Sequence, residues 1–83
     1  DEEHYAPYRA RVTDQIQQYG GEYLVRGGRI ERLEGDWQPG RVVVIRFESI
    51  AAARRWWESE DYAELKAIRQ ATTDTNMIVV EGV

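Results

Sequence analysis

Residues 41–47, Arg-Val-Val-Val-Ile-Arg-Phe, have the clearest strand pattern in the chain. Four apolar residues, Val42 to Ile45, follow one another with no polar residue between them. Because successive side chains of a strand point to opposite faces, this run places apolar side chains on both faces of a sheet. Such a run is typical of a sheet that is covered on both sides. The sequence therefore predicts a strand that is buried on both faces.

The residues at the start of the chain predict a helix. Its tyrosines and aliphatic residues recur at three- and four-residue steps and line one helical face. A proline disturbs the interior of a helix but suits its first turn. We therefore predict a leading turn over residues 1–6 and a regular helix that starts at Pro7. Gly20-Gly21 is expected to end this helix as a glycine cap.

A short strand, Glu22-Tyr-Leu-Val-Arg26, follows this helix. We predict that the strand resumes over residues 29–33 after a bulge or bend at Gly27-Gly28, with a hairpin at the glycines as the alternative. Residues 35–40 contain two glycines, an aspartate and a proline, which favour a turn.

Two helices are predicted after residue 47. Ser49 is the expected N-cap of the first, which runs to about residue 58, and Ser59 is the expected N-cap of the second. Three residues of the first helix are expected to face inward: Ile50, Ala53 and Trp57. Four residues of the second share one stripe: Tyr62, Leu65, Ile68 and Arg69. Residues 76–83 are predicted to close the chain as a strand.

This order of elements predicts a layered α+β fold with the helices on one face of an antiparallel sheet. The helices then leave the other face uncovered, although the strand over residues 41–47 is apolar on both sides. Soluble monomers rarely expose a contiguous apolar patch of that kind. We therefore expect a homodimer in which a second copy covers the helix-free sheet face.

Length and composition narrow the classes of function. A chain of 83 residues predicts a single domain, residues 1–83, with a thin core. With no cysteine and one histidine, the sequence predicts no metal site, and it indicates no cofactor. A net charge of −4 argues against non-specific binding of nucleic acid, and no apolar run approaches the length of a membrane span. The cysteine-free composition fits a reducing, cytoplasmic compartment.

Several stretches resemble a known family. They are Tyr-Gly-Gly-Glu-Tyr-Leu-Val-Arg-Gly-Gly (19–28), Leu-Glu-Gly-Asp-Trp (33–37), Arg-Val-Val-Val-Ile-Arg-Phe (41–47), Ala-Ala-Arg-Arg-Trp-Trp (52–57), Ser-Glu-Asp-Tyr (59–62), Leu-Lys-Ala-Ile-Arg (65–69) and Val-Glu-Gly-Val (80–83). In this order they are similar to the family catalogued as domain of unknown function 1330, which looks like a member of the dimeric α+β barrel superfamily.

The resemblance implies a ferredoxin-like βαββαβ protomer whose sheet pairs with that of a second copy to form a barrel. It also implies a strand before residue 1, which this chain lacks. We expect either that the chain is a fragment, or incompletely ordered, or that a partner segment fills the place of that strand.

Three polar residues are candidates for chemistry: His4, Glu34 and Arg69. His4 is either a solvated residue or a proton carrier at the barrel mouth. Glu34 is either a turn carboxylate or a carboxylate at the open end of the barrel, where Arg69 is its expected partner. Arg69 falls on an inward helical stripe, where a charge usually has a partner, and its planar fork suits a substrate carboxylate.

Trp56, Trp57 and Tyr62 are candidates for ligand contact, and core packing is the alternative for all three. Since only one of two consecutive helical residues faces fully inward, Trp57 is expected in the core and Trp56 at an interface or ligand. The function we predict is binding of a small organic ligand inside the barrel. The alternative is a cofactor-independent enzyme, similar to the monooxygenases and isomerases of the superfamily, that acts on a small carboxylate or phenol.

Overall fold

The computed structural model describes the backbone of residues 2–83 and the side chains of Arg9 and residues 11–83. In chain order its elements are α1 (Glu2–Gln18), β1 (Glu22–Arg26), β2 (Val43–Arg46), α2 (Ile50–Trp57) and α3 (Glu60–Thr72). The two strands form one antiparallel sheet. The predicted α+β class is therefore confirmed, whereas the βαββαβ order and the dimeric barrel stay predictions.

Helix α1 begins at Glu2, so the predicted leading turn over residues 1–6 is wrong. Pro7 lies within the helix rather than at its first position. A proline removes a single backbone donor, and the helix continues through Pro7 despite that loss.

The end of α1 has the glycine cap that the sequence predicts. Gly20 has a φ of +83°, and the backbone N–H groups of Gly20 and Gly21 donate to the carbonyls of Gln17 and Ile16 at 3.1 and 2.7 Å. This pair of bonds is a Schellman motif, which needs a left-handed residue at the first glycine. A Cβ at Gly21 would lie 2.6 Å from Ile16 Cγ2 and 2.9 Å from the Phe47 ring, so only glycine fits between helix and strand.

Strands β1 and β2 pair with Tyr23 opposite Ile45 and with an irregular register between Tyr23 and Val25. The extra residue at this irregularity is Leu24, so the bulge lies inside β1, whereas Gly27 carries the bend that the sequence analysis gave as the other possibility at the glycines. A bulge leaves its extra residue unpaired, and Leu24 is 54% exposed.

The chain leaves the sheet at Gly27, which has a φ of +71° and donates its N–H to the carbonyl of Val42 at 2.9 Å. A glycine in the left-handed region turns the backbone out of the strand direction. Residues 29–33 therefore do not continue the strand, in contrast to the prediction, and residues 28–42 form an irregular excursion that carries a bend at residues 34–36.

The C-terminal residues 76–83 also form no strand, although the sequence predicts one. They are exposed, and Ile78 and Val80 show 87% and 78% of their surface. A strand exists only when a second segment satisfies its backbone groups, and within the described part of the chain no segment pairs with these residues.

Helices α2 and α3 begin where the sequence predicts. The hydroxyl oxygen of Ser49 accepts from the backbone N–H of Ala52 at 3.0 Å, and that of Ser59 accepts from Tyr62 at 3.1 Å. The Ser59 hydroxyl also donates to the carbonyl of Trp56 at 2.7 Å, so one side chain both ends α2 and begins α3. Both predicted N-caps are confirmed.

The core lies where α1, α2 and α3 meet one face of the sheet. Its buried members are Val12, Ile16, Trp56, Tyr62 and Leu65, with Tyr23, Ile45 and Phe47 partly buried against them. On α3 the predicted stripe is confirmed for Tyr62, Leu65 and Arg69, while Ile68 is half-buried.

On α2 the predicted inward face is wrong by one residue. Ala52 and Trp56 are the buried residues, in place of Ile50, Ala53 and Trp57. Trp56 reaches the core because its ring stacks between those of Phe47 and Tyr62.

The second sheet face is exposed in the single chain, so its burial by a second copy stays a prediction. Val25 and Val44, paired in register, are 40% and 43% exposed. The helices cover only the face that carries Tyr23 and Ile45. No described helix of this chain packs against the side chains on the opposite face of the sheet.

Candidate functional site

A wide cleft runs between the sheet, the ends of α2 and α3 and the C-terminal residues 74–83. Its volume is about 1850 Å³, and its walls include Phe47, Trp56, Trp57 and Arg69. Pockets that enclose one small molecule occupy roughly 300–1,000 Å³. In the single chain this cleft is therefore open rather than closed around a ligand.

Arg69 is the buried cation of this cleft. It lies in the last turn of α3 and is 6% exposed. Its Nε–H donates to the hydroxyl oxygen of Tyr62, two helical turns earlier, at 3.2 Å. Thr73 holds the end of that turn, since its backbone N–H and its hydroxyl both donate to the Arg69 carbonyl, at 2.9 and 2.6 Å. Hydrogen bonds within this part of the chain thus hold both the guanidinium and the backbone carbonyl of Arg69.

The charge of Arg69 has no counter-charge among the described residues. No carboxylate of those residues lies within ion-pair distance of its guanidinium, and the neutral Tyr62 is its hydrogen-bond partner. Arg69 is one of the residues that line the cleft. A buried guanidinium whose planar fork faces a cavity is suited to a carboxylate or another planar anion.

Three aromatic rings stack beside this arginine. The ring centroids of Trp56 and Tyr62 are 4.1 Å apart and those of Phe47 and Trp56 are 5.9 Å apart. Tyr62 is fully buried and Trp56 is 5% exposed. The indole Nε1–H of Trp56 is enclosed and has no acceptor in the described structure. Phe47 and Trp56 therefore give the cleft an aromatic wall, and the polar residues Gln70, Thr73 and Asp74 line the same cleft.

Trp57 lies at the edge of the cleft, 38% exposed, in contrast to its predicted place in the core. The ammonium group of Lys66 lies 3.8 Å from the centre of the Trp57 ring and donates to the Trp57 carbonyl at 3.1 Å. This contact ties the end of α2 to α3 and covers one side of the ring with a cation.

The other predicted polar residues do not join Arg69. Glu34 is exposed in the bend at residues 34–36, outside the cleft walls, and forms no ion pair with Arg69. The side chain of His4 lies outside the described residues. Among the described residues no group of three or more histidine, cysteine or acidic side chains could hold a metal ion.

Arg46 and Arg54 also line the cleft, and they differ from Arg69 because they are exposed and have carboxylate partners. Arg46 pairs with Glu22 at 2.8 Å and Arg54 pairs with Glu58 at 3.0 Å. Such exposed pairs contribute little stability and leave no net charge for a ligand.

Arg26, which the sequence analysis did not single out, lies 4.6 Å over the Tyr23 ring at the side of the cleft. Its guanidinium donates to the Thr13 hydroxyl at 2.5 Å and to the Arg9 carbonyl at 3.4 Å, which joins β1 to α1. Strand alternation alone puts residues 23 and 26 on opposite faces of the sheet. Only the bulge at Leu24 brings Arg26 to the face of Tyr23, so the sequence contains no signal for this position.

Comparison with known proteins identifies the family of the chain but assigns no reaction or ligand to it. The family model described as "Domain of unknown function (DUF1330)" matches residues 1–83. None of the curated proteins compared with the chain matches it. No described helix is long and apolar enough to cross a membrane.

Proposed function

The chain belongs to the DUF1330 family, and we propose that it is a single-domain dimeric α+β protein that binds a small organic anion in the cleft. Arg69 holds the anionic group and Tyr62 orients Arg69. Trp56 and Trp57 contribute apolar surface. The cytoplasmic location expected from the cysteine-free sequence remains part of this proposal.

The observation that carries the proposal is the burial of Arg69 without a carboxylate. A guanidinium that is 6% exposed has lost most of its hydration, and one hydrogen bond to a tyrosine leaves most of its donors without an acceptor. An anion that enters the cleft supplies both the missing charge and the missing acceptors. Charge-assisted bonds of this kind are about twice as strong as neutral ones.

Binding is favoured over catalysis by what surrounds Arg69. General acid–base catalysis needs a titratable group within hydrogen-bond reach of the reacting proton. The candidate base Glu34 is not among the residues that line the cleft with Arg69. Four other carboxylates line the cleft, those of Glu48, Glu58, Asp74 and Glu81, and within the described structure none of them lies within ion-pair distance of Arg69.

The dimer is supported by the exposed apolar surface of the sheet and by the width of the cleft. Leu24, Val25 and Val44 are 54%, 40% and 43% exposed, and an isolated two-stranded sheet is marginal in water. A second copy packed on the helix-free face would bury these side chains and would narrow a cleft that one chain leaves open.

The anion site is tested by isothermal titration of wild type with benzoate and with benzamide. We expect saturable binding of benzoate and none of the neutral amide. Arg69→Gln should abolish benzoate binding, and Arg69→Lys should weaken it because the charge is kept and the fork is lost. Arg29→Gln is the matched control, since Arg29 is exposed, pairs with Glu31 and does not line the cleft. Equal binding by Arg69→Gln and wild type would contradict the proposal.

The dimer is tested by light scattering coupled to size exclusion. We expect the mass of two chains for wild type and of one chain for Val44→Asp, because a carboxylate on the sheet face cannot be buried unpaired. Ala63→Asp, on an exposed position of α3, should leave the mass unchanged. A wild-type mass of one chain at 100 µM, about the concentration used for titration, would refute the dimer.

A further inference from the structure

We propose that residues 76–83 of one copy add as an antiparallel strand to the free edge of β2 in a second copy, and that the exchange is reciprocal. The occupant of this edge is therefore another molecule of the same chain. The inference rests on the dimer of the proposed function and adds the backbone contact through which the two copies pair.

The first support is the unpaired edge of β2. The carbonyl of Val42 accepts from the N–H of Gly27, so residue 42 directs its backbone groups toward β1. Backbone groups alternate in direction along an antiparallel strand, so those of Val43 and Ile45 point to the other side. Within the described part of the chain β2 pairs with β1 alone. This edge can therefore accept a further strand.

The second support is the C-terminal segment itself. Residues 76–83 line the same cleft as β2 but do not pair with it. The segment contains Ile78, Val79 and Val80, which are 87%, 51% and 78% exposed. Such β-branched residues favour strands, and an exposed apolar run of this kind marks a contact surface. The segment thus has the composition of a strand and lacks its partner.

The third support is that the two sequences match residue by residue. When Val44 is placed opposite Ile78 in antiparallel order, the apolar residues 42–45 face the apolar residues 80–77. Cross-strand pairs of β-branched residues stabilise a sheet. The apolar parts of the two segments therefore have the same length and end together.

The charges that flank the apolar residues favour this order. It places Glu81 opposite Arg41, and both line the cleft without an ion-pair partner among the described residues. Opposite charges that face each other across two strands are stabilising. Parallel order would instead place Glu81 opposite Arg46, which already pairs with Glu22 at 2.8 Å. The antiparallel order is therefore the one that pairs both unused charges.

A second copy provides the strand because the chain's own segment lies across the cleft and leaves the edge of β2 unpaired. In a two-fold dimer each copy gives one segment and receives an identical one, so both edges are paired by the same contacts. The cleft keeps a wall of the same sequence, now bonded to β2. A strand takes about 4.8 Å of width, so this addition narrows a cleft of about 1850 Å³ toward the size of a small-molecule pocket.

The test is disulfide cross-linking, which a chain without cysteine allows with no background thiols. Val44→Cys is unfolded and refolded together with ¹⁵N-labelled Ile78→Cys, oxidised with glutathione disulfide and read by intact mass. We expect the mixed disulfide as the main covalent product, because residues directly opposite have Cβ atoms about 4.5–5.5 Å apart. Val80→Cys in place of Ile78→Cys is the matched control for register, and Leu24→Cys in place of Val44→Cys is the control on β1. Both controls should give yields at least about threefold lower.

Absence of the mixed disulfide, or equal yields from Ile78→Cys and Val80→Cys, would overturn the inference. In the double variant Val44→Cys/Ile78→Cys the disulfides should join two chains, and a disulfide within one chain would overturn the exchange between copies. If wild type has the mass of two chains but no cross-link forms, the dimer of the proposed function survives and this inference fails. A wild-type mass of one chain would remove both.

Charge reversal gives a second measurement that needs no cysteine. Glu81→Arg should raise the dissociation constant of the dimer roughly two- to tenfold, because it places two cations opposite each other, and the further change Arg41→Glu should restore it. Glu34→Arg is the matched control, since it changes the net charge equally at an exposed position that does not line the cleft. Analytical ultracentrifugation measures the constants. An unchanged constant for Glu81→Arg would overturn the inferred pairing.

Discussion

Replacement of Tyr62 by phenylalanine removes a single oxygen from the centre of the molecule. Tyr62 is fully buried, and its hydroxyl oxygen accepts from Arg69 Nε at 3.2 Å. The phenylalanine ring keeps the contact with Trp56. The substitution therefore removes the hydrogen bond that orients the buried guanidinium.

The expected loss follows from the burial of both partners. A hydrogen bond from a charged donor contributes about 1.5–3 kcal/mol, and the donor left behind cannot recover it from water where it is enclosed. An 83-residue domain has a free energy of unfolding of roughly 4–12 kcal/mol. We expect a loss of about 2 kcal/mol, which lowers Tm by roughly 8–16 °C in a domain of this size.

Urea denaturation followed by far-UV circular dichroism measures the loss at fixed protein concentration. Tyr19→Phe is the matched control, because the Tyr19 hydroxyl donates to Asp61 at 2.9 Å from a half-buried position where water can replace it. Its cost should be below about 1 kcal/mol. Equal costs for the two substitutions would refute the argument that Arg69 is a desolvated cation with one protein acceptor.

Three further predictions concern packing and charge. Trp56→Ala should destabilise the fold by about 3–5 kcal/mol and Trp57→Ala by far less, as measured by urea denaturation, and the reverse order would contradict the observed face of α2. Gly21→Ala should cost about 1–3 kcal/mol by the same assay, because its Cβ would meet side-chain atoms at 2.6 Å, and an unchanged midpoint would show that helix and strand separate there without cost. The hydrogen bond and charge of Arg11 lower the pKa of the exposed Glu64 carboxyl, so its contribution is present above the unfolded pKa and is lost as pH falls through the folded pKa. A Glu64→Gln variant should therefore show a slightly shallower fall in Tm on acidification than wild type, and identical profiles would mean that the pair does not form in solution.

Much of the local structure could be predicted from neighbouring residues. Ser49 and Ser59 mark the starts of α2 and α3, and Gly20 marks the end of α1, because a cap is formed between residues a few positions apart. The buried position of Arg69 was also predictable. Its spacing from Tyr62 is seven residues, two helical turns, so both side chains lie on one face.

The arrangement of the site could not be predicted in the same way. Whether Trp56 or Trp57 enters the core depends on Phe47 and Tyr62, which belong to other elements, and a helical pattern allows either. The predicted contact between Glu34 and Arg69 is not seen in the single chain for a similar reason. Residues 28–42 leave the sheet, and Glu34 lies among them, away from the cleft that Arg69 lines.

The sequence alone determined the glycine cap of α1, the serine caps of α2 and α3, the two strands and the stripe that bears Arg69, because these depend on residues that are close together in the chain. Only the tertiary structure decided that Leu24 forms the bulge, that residues 29–33 and 76–83 stay out of the sheet, and that the Trp56 N–H lacks an acceptor. Each of those outcomes depends on which backbone or side-chain group, distant in the sequence, comes within hydrogen-bonding distance. Neighbouring residues in the sequence do not reveal that partner.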